Sequence, residues 1–169
     1  AMSGGVTFSG GEATLQYDFL LALAKRLKAE GVHTCLETNG VIPKDRLMEL
    51  CQVIDLFLYD FKVWEKEMQK KYTGLSNHMV YRNLSFLEMQ GKPVILRCPI
   101  IPGVNDVPEH FAKIRELRKR HTNILTAEIM PYHDIGISKW DNLSMDYALR
   151  KVAPPTPDAV SAWREQILL

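Results

Sequence analysis

No two cysteines of this 169-residue chain stand close together; Cys35, Cys51 and Cys98 are odd in number and far apart. The count argues against a disulfide scaffold, and the spacing against a metal centre built from these three, because thiolate ligands cluster within a few residues. Cys35 and Cys98 fall in strand-like runs and Cys51 in a helical one, where free cysteine packs as a small hydrophobe. Three unpaired thiols point to a reducing cytoplasm. Charge of one sign is lacking too. With 21 Lys+Arg against 20 Asp+Glu, no strong field exists to collect nucleic acid or an anionic membrane. The longest basic cluster, Arg115 to Arg120, contains Glu116 and reads as a solvated helix face. No apolar run approaches the ~20 residues of a membrane span, and no signal peptide opens the chain. Ala1 ahead of Met2 reads as an appended residue, with the native start at Met2 or upstream. Linkers and low-complexity tracts are missing, so a single domain over residues 1–169 is expected.

What is present is a repeating order. Five apolar runs of strand length each stop at a small polar cluster and give way to a helical stretch. They stop at Ser9-Gly10-Gly11-Glu12, at Glu37-Thr38-Asn39-Gly40, at Asp60-Phe61-Lys62, at Arg97-Cys98-Pro99 and at Pro131-Tyr132-His133. Between them, helical spacing is visible in Leu15, Phe19, Leu20, Leu23 and Leu27, and in Leu47, Leu50, Cys51 and Ile54 after Pro43. Further helices are expected over 78–90, over 107–121 and after Thr156-Pro157-Asp158. Strand–helix alternation implies right-handed parallel crossovers, hence an α/β doubly wound sheet or partial barrel. Such folds build their sites at the carboxyl ends of the strands, where this chain gathers its Glu, Asp, Lys, Arg and His.

Strand parity sorts these residues. Asp60 and Lys62 share parity with Leu56 and Leu58, and Glu37 with Cys35 and His33, so each set lies on one face. Taken singly, each has a bland reading. Asp60 with Lys62 is an ion pair, Arg97 with Glu128 is a pair across adjacent strands, His133 is a loop histidine and Gly10-Gly11 is a turn. Together, at consecutive strand ends, they suggest one site.

The residues also carry a resemblance. Val6-Thr7-Phe8-Ser9-Gly10-Gly11-Glu12 with Leu15-Gln16 resembles the second-strand motif of the radical S-adenosylmethionine enzymes that activate glycyl-radical enzymes, the family of the pyruvate formate-lyase-activating enzyme. Segments 31–40, 55–62 and 72–77, Arg97-Cys98-Pro99-Ile100-Ile101-Pro102-Gly103-Val104-Asn105-Asp106, and Met130-Pro131-Tyr132-His133 with Gly136, Lys139 and Trp140 resemble its later strands and loops in order. The resemblance implies an α/β fold, a partial (β/α)6 TIM-like barrel truncated here to about five parallel strands with outer helices. It implies S-adenosylmethionine across the barrel mouth. Ser9, Gly10, Gly11 and Glu12 match the segment that binds the methionine amino group. Glu37 matches the acidic residue beside the ribose, with Thr38 next to it. Asp60 and Lys62 match groups near the ligand's carboxylate and ribose, and His133 a residue at the adenosine side. Arg97 is the candidate for steering ligand or substrate loop. A monovalent-cation site bordered by Glu37, Thr38 and Asp60 is implied as well.

Several departures stand out. Ala13 replaces a usual Pro, Glu37 a usual Asp, and Gln69 stands where relatives often have His. The family mounts a [4Fe–4S] cluster on a Cys-x3-Cys-x2-Cys loop after its first strand, and this chain begins at the second. The expectation is therefore a fragment, inactive alone. In the full-length protein the resemblance implies a radical placed on a glycine of a pyruvate formate-lyase-like partner, with a flavodoxin-type reductant. The uncovered first strand predicts dimerisation along its edge. Two other classes remain open: a barrel enzyme using Lys62 as a Schiff-base or general-base lysine, and a non-catalytic protein binding S-adenosylmethionine or the partner.

Overall fold

Five strands follow one another in chain order across one parallel sheet, β1-β2-β3-β4-β5. They are β1 Gly5–Phe8, β2 His33–Thr38, β3 Leu56–Asp60, β4 Val94–Ile100 and β5 Ile124–Pro131. The computed structural model describes residues 4–168, so the expected start at Met2 lies outside them. The helices are α1 Tyr17–Ala29, α2 Lys44–Val53, α3 Lys66–Thr73, α4 His78–Met89, α5 Pro108–Arg120, α6 Ile137–Asn142 and α7 Pro157–Leu168. The sheet does not close, and it matches the expected partial barrel of five parallel strands with outer helices.

Alternation decides which face is covered. Leu36, Phe57, Tyr59, Val94, Leu96, Cys98 and Ile100 are buried. They form one core with Leu20, Leu21 and Ala24 of α1, Leu47, Leu50 and Cys51 of α2, Leu84 and Leu87 of α4, and Phe111, Ile114 and Leu117 of α5. The intervening residues Cys35, Glu37, Leu58, Asp60, Ile95 and Arg97 are only half-buried and lie on the open face. The strands are therefore neither fully buried nor evenly amphipathic; helices cover one side, and the ionisable groups stand on the other.

Three expectations need correction. The first helix begins later than Leu15: Ala13–Gln16 form a 3-10 turn, and Leu15 and Phe19 are exposed rather than on the inner face. Helices α3 and α6 were not anticipated; α3 is lysine-rich, buries only Gln69, and is started by the Glu65 carboxylate accepting from the amides of Glu67 and Met68. The basic stretch on α5 is not wholly solvated. Arg115 and Arg118 donate to the carbonyls of Gln166 and Ile167 at the end of α7. Cations there satisfy orphan carbonyls and oppose the negative end of the helix dipole.

Candidate functional site

Parallel register brings the strand ends together. Glu37 lies opposite Leu58, and Asp60 opposite Arg97. From β4, Arg97 reaches over β3, so its Nη1 stands 2.6 Å from Glu37 Oε1 and its Nε 3.9 Å from Asp60 Oδ1. Lys62 Nζ lies 3.6 Å from Asp60 Oδ2. Ser9, just past β1, donates its hydroxyl to Glu37 Oε2 at 2.8 Å. Residues from the ends of four strands thus share one network of alternating charge. Burial pushes the Asp60 carboxyl up and neighbouring Glu37 adds to this, while Lys62 and Arg97 pull it down.

The expected pair of Arg97 with Glu128 does not form. The two are in register, but Glu128 is exposed, and the guanidinium turns to the side where two carboxylates stand. Two opposite charges outweigh one.

Glu12 behaves differently from its neighbours. Its Oε1 accepts from the Thr14 amide (3.3 Å), the Thr14 hydroxyl (2.7 Å) and the Thr38 hydroxyl (3.0 Å), and its Oε2 from the Asn39 amide (2.8 Å). It is a bracket holding the β1 loop against the end of β2. Buried Thr38 points to that bracket and not to the open face; its hydroxyl also accepts from the Gly40 amide. Gly10 adopts φ +134°, and a β-carbon there would meet nothing within 4 Å, so glycine serves the backbone path and not a tight contact. His133 is exposed on the segment after β5, and among the described residues it makes no hydrogen bond to the network.

Two buried asparagines that sequence reasoning passed over hold the mouth in shape. Asn105 donates to Lys62 O and Pro99 O (2.8 and 2.7 Å) and accepts from the Ile101 amide (2.7 Å), tying the loops after β3 and β4. Asn83 donates to Gly40 O and Ile42 O, both at 2.8 Å. The signal for Asn105 was its place in the Pro-Gly-Val-Asn-Asp loop; for Asn83 no signal existed beyond a polar residue at a helical core position. A hollow of about 300 Å³ beside Lys62 is lined by Asn39, Val41, Gln69 and Tyr72. A larger one of about 770 Å³, between α4 and α5, touches none of the network residues.

The chain's cysteines do not fit an iron–sulfur cluster. Cys35 is half-buried on the open face of β2, Cys51 is buried on α2, and Cys98 is buried on the helix-facing side of β4. Burial pushes the Cys51 thiol up to about 11 and the Cys98 thiol higher still. Among the described residues no cluster of three or more His, Cys, Asp or Glu could hold a metal ion. No described helix is long and apolar enough to cross a membrane.

Residues 2–130 match the Radical SAM superfamily. The chain belongs to that superfamily. As a radical SAM protein it is 42% identical over 164 residues to the pyruvate formate-lyase-activating enzyme of Streptococcus mutans, covering 94% of this chain and 62% of that one. It is 38% identical over 151 residues to the (2S)-3-sulfopropanediol sulfolyase activating enzyme of Bilophila wadsworthia, covering 88% and 50%. The radical SAM chain thus spans about three fifths and half the length of these relatives. Its fold is like a crystallised domain of the pyruvate formate-lyase-activating enzyme of Bacteroides vulgatus, with a TM-score of 0.80 at 23% identity over 98% of this chain and 93% of that domain.

Proposed function

We propose that this chain carries the S-adenosylmethionine-binding mouth of an activating enzyme whose whole protein installs a glycyl radical on a partner of the pyruvate formate-lyase type. The observation that carries this reading is the Ser9–Glu37–Arg97–Asp60–Lys62 network at the ends of parallel strands in a radical SAM chain. S-adenosylmethionine is zwitterionic with an added sulfonium, and a mouth offering carboxylates and cations side by side suits that charge pattern. In the whole protein it would, once reductively cleaved to methionine, supply the adenosyl radical that takes a hydrogen atom from the partner.

In this reading Ser9, Gly10 and Gly11 present polar groups to the ligand's ammonium, and Glu12 holds that loop in position. Glu37 faces the ribose, with Thr38 beside it, Asp60 and Lys62 lie towards the ribose and carboxylate, and His133 borders the adenosine. Glu37 and Asp60, on the open face, border a monovalent cation, and Thr38, whose hydroxyl is turned away to Glu12, adjoins them only through its backbone. The alternative role for Lys62 as a free amine nucleophile is disfavoured by its ion pair with Asp60. Because Cys35, Cys51 and Cys98 do not fit the [4Fe–4S] cluster, residues 1–169 bind ligand without cleaving it, and a flavodoxin-type reductant serves the whole protein only. The partner is of the class named for the relatives, pyruvate formate-lyase or a sulfolyase. The β1 edge, paired among the described residues only with β2 and with exposed Phe19 beside it, is proposed to associate with another chain; sedimentation that shows only monomer at high concentration would remove that part.

Calorimetric titration with S-adenosylmethionine tests the reading. Saturable binding to the chain, weakened by Asp60→Asn, is expected; no binding to either protein would sink it.

A further inference from the structure

Packing does not account for the residues of α3. The helix buries only Gln69, yet it carries Lys66, Lys70 and Lys71, all exposed. Lys66 and Lys70 stand four positions apart, so like charges face each other across one turn at a cost to the helix. None of the three takes part in the ion pairs among the described residues. Lys71 lies instead over the Tyr72 ring, 5.2 Å from its centre. The neighbouring acids offset little, because the Glu65 carboxylate is engaged by the amides of Glu67 and Met68. In a chain of nearly balanced charge this is a local excess of unpaired cations.

The hollow of about 300 Å³ opens on the same helix. Gln69, Tyr72 and Thr73 line it from α3, Asn39 and Val41 line it from the turn after β2, and no carboxylate stands in its wall. Lys62, already paired with Asp60, is the residue it shares with the strand-end network. Gln69 is only 5% exposed, and among the described residues its carboxamide makes no hydrogen bond. Asn39 gives its side-chain oxygen to the Val41 amide, and its NH2 group has no partner among the described residues. A buried amide left unpaired is costly. Two of them, in a wall without an acid, suit a negatively charged acceptor.

We infer that α3 and this hollow form a docking face for an acidic polypeptide segment, one carboxylate of which enters the hollow and accepts from the carboxamides of Gln69 and Asn39. Lys66, Lys70 and Lys71 supply the field that draws the segment in, and the hollow fixes its register. One buried anchor ringed by exposed charges is a common division of labour at an interface. The inference rests on the proposed function only for the source of the segment, which is the polypeptide that receives the radical. Lys62 stays with the network, so the docking face and the S-adenosylmethionine mouth are filled together and not in competition.

The test titrates this chain with a blocked hexaglutamate peptide, a blocked hexaglutamine peptide and octathymidylate, by calorimetry and by nitrogen-15 NMR of the side-chain carboxamides. Hexaglutamate is expected to bind, about tenfold more weakly when salt is raised from low to physiological strength, and hexaglutamine is expected not to bind. The Gln69 NH2 signals, assigned by their loss in Gln69→Leu, are expected to shift at hexaglutamate saturation. Lys66→Glu combined with Lys70→Glu places a good helix former at two exposed positions and is expected to weaken hexaglutamate about tenfold with helix content unchanged by circular dichroism. Gln69→Leu is expected to weaken it about fivefold. No binding of hexaglutamate at low salt overturns the inference. Equal affinity for hexaglutamine overturns it by removing the role of charge, and equal affinity for octathymidylate by making the face a general polyanion surface. Gln69 signals unmoved at saturation overturn it too, as does displacement of hexaglutamate by saturating S-adenosylmethionine, which would return the hollow to the ligand mouth. Hexaglutamate binding by a chain without affinity for S-adenosylmethionine upholds the docking face and fails the ligand reading alone.

Discussion

Tyr59 and Gly40 compete for one space: a β-carbon at position 40 would stand 2.0 Å from the Tyr59 hydroxyl. That hydroxyl is buried and donates to Val80 O at 2.7 Å, so it cannot swing aside without leaving a carbonyl unpaired. Gly40 also holds φ +75°. Through these two residues the turn after β2, which follows Glu37 and Thr38, is keyed to β3 and α4.

Gly40→Ala is accordingly expected to cost about 3 kcal/mol, from the left-handed backbone and the clash together. Tyr59→Phe is expected to cost about 1–2 kcal/mol, from one lost hydrogen bond. Urea denaturation of both variants measures this. Combining Gly40→Ala with Tyr59→Phe should not restore stability, because the ring carbon itself lies 2.3 Å from the added methyl. A Gly40→Ala protein as stable as the wild type would remove the account.

The end of α7 is held from the side by α5. Arg115 Nη1 donates to Gln166 O at 2.6 Å, and Arg118 Nη1 to Ile167 O. Both arginines are half-buried against the helix they cap. Arg118→Ala is expected to lose about 1 kcal/mol and to speed amide hydrogen exchange in the last turn of α7, with exchange in β2 and β3 little changed. Uniform acceleration across the sheet would mean that α7 is not a locally frayed element and would contradict the assignment.

These cases show what the sequence could and could not disclose. The parallel order of strands was legible because apolar runs and terminal polar clusters repeat with helical stretches between them. The face bearing Glu37, Asp60 and Lys62 was legible because strand side chains alternate. Arg97's partner was not: register alone sets it against Glu128, whereas a long side chain reaches past its neighbour to two carboxylates on strands β2 and β3. In the sequence Glu12 is one residue of a segment resembling a ligand-binding motif, and only the folded chain shows its carboxylate accepting four bonds from Thr14, Thr38 and Asn39. Helix α3 escaped notice because it buries one polar residue and so shows no apolar stripe. The basic run on α5 looked solvated because the partner it needs, the end of α7, lies some fifty residues away.

Asp55, at the opposite end of the sheet from the network, latches β2 to the turn before β3. It accepts from the Thr34 amide at 2.9 Å and the Thr34 hydroxyl at 3.2 Å, and pairs with Lys28. Burial would raise its carboxyl, but the Lys28 and Thr34 bonds outweigh that and hold it near 2, against an ordinary 3.8. A depressed carboxyl stabilises the fold above its unfolded value and loses that contribution as pH falls from about 4 towards 2. Asp55→Asn is expected to cost about 2 kcal/mol at neutral pH and nearly nothing at pH 2. Stability curves of the two proteins that stay parallel down to pH 2 would refute this.

His110 supplies a second and separate acid limb. It is fully buried on α5, stacked on Phe61 with ring centroids 5.5 Å apart, and among the described residues neither ring nitrogen has a hydrogen-bond partner. Burial disfavours the charged imidazolium and pushes the group down from 6.5 to about 4. Its folded value lies below its unfolded one, so the neutral form stabilises the native state above about pH 6.5, and that contribution drains away as pH falls towards 4. Its window therefore lies above that of Asp55. His110→Phe keeps an aromatic ring against Phe61 and removes both orphan nitrogens. It is expected to be at least as stable as the wild type at pH 7, and at pH 4.5 to lead it by roughly 2–3 kcal/mol more than at pH 7. Guanidinium midpoints at the two pH values measure the difference. Equal losses for both proteins on acidification would place the proton elsewhere.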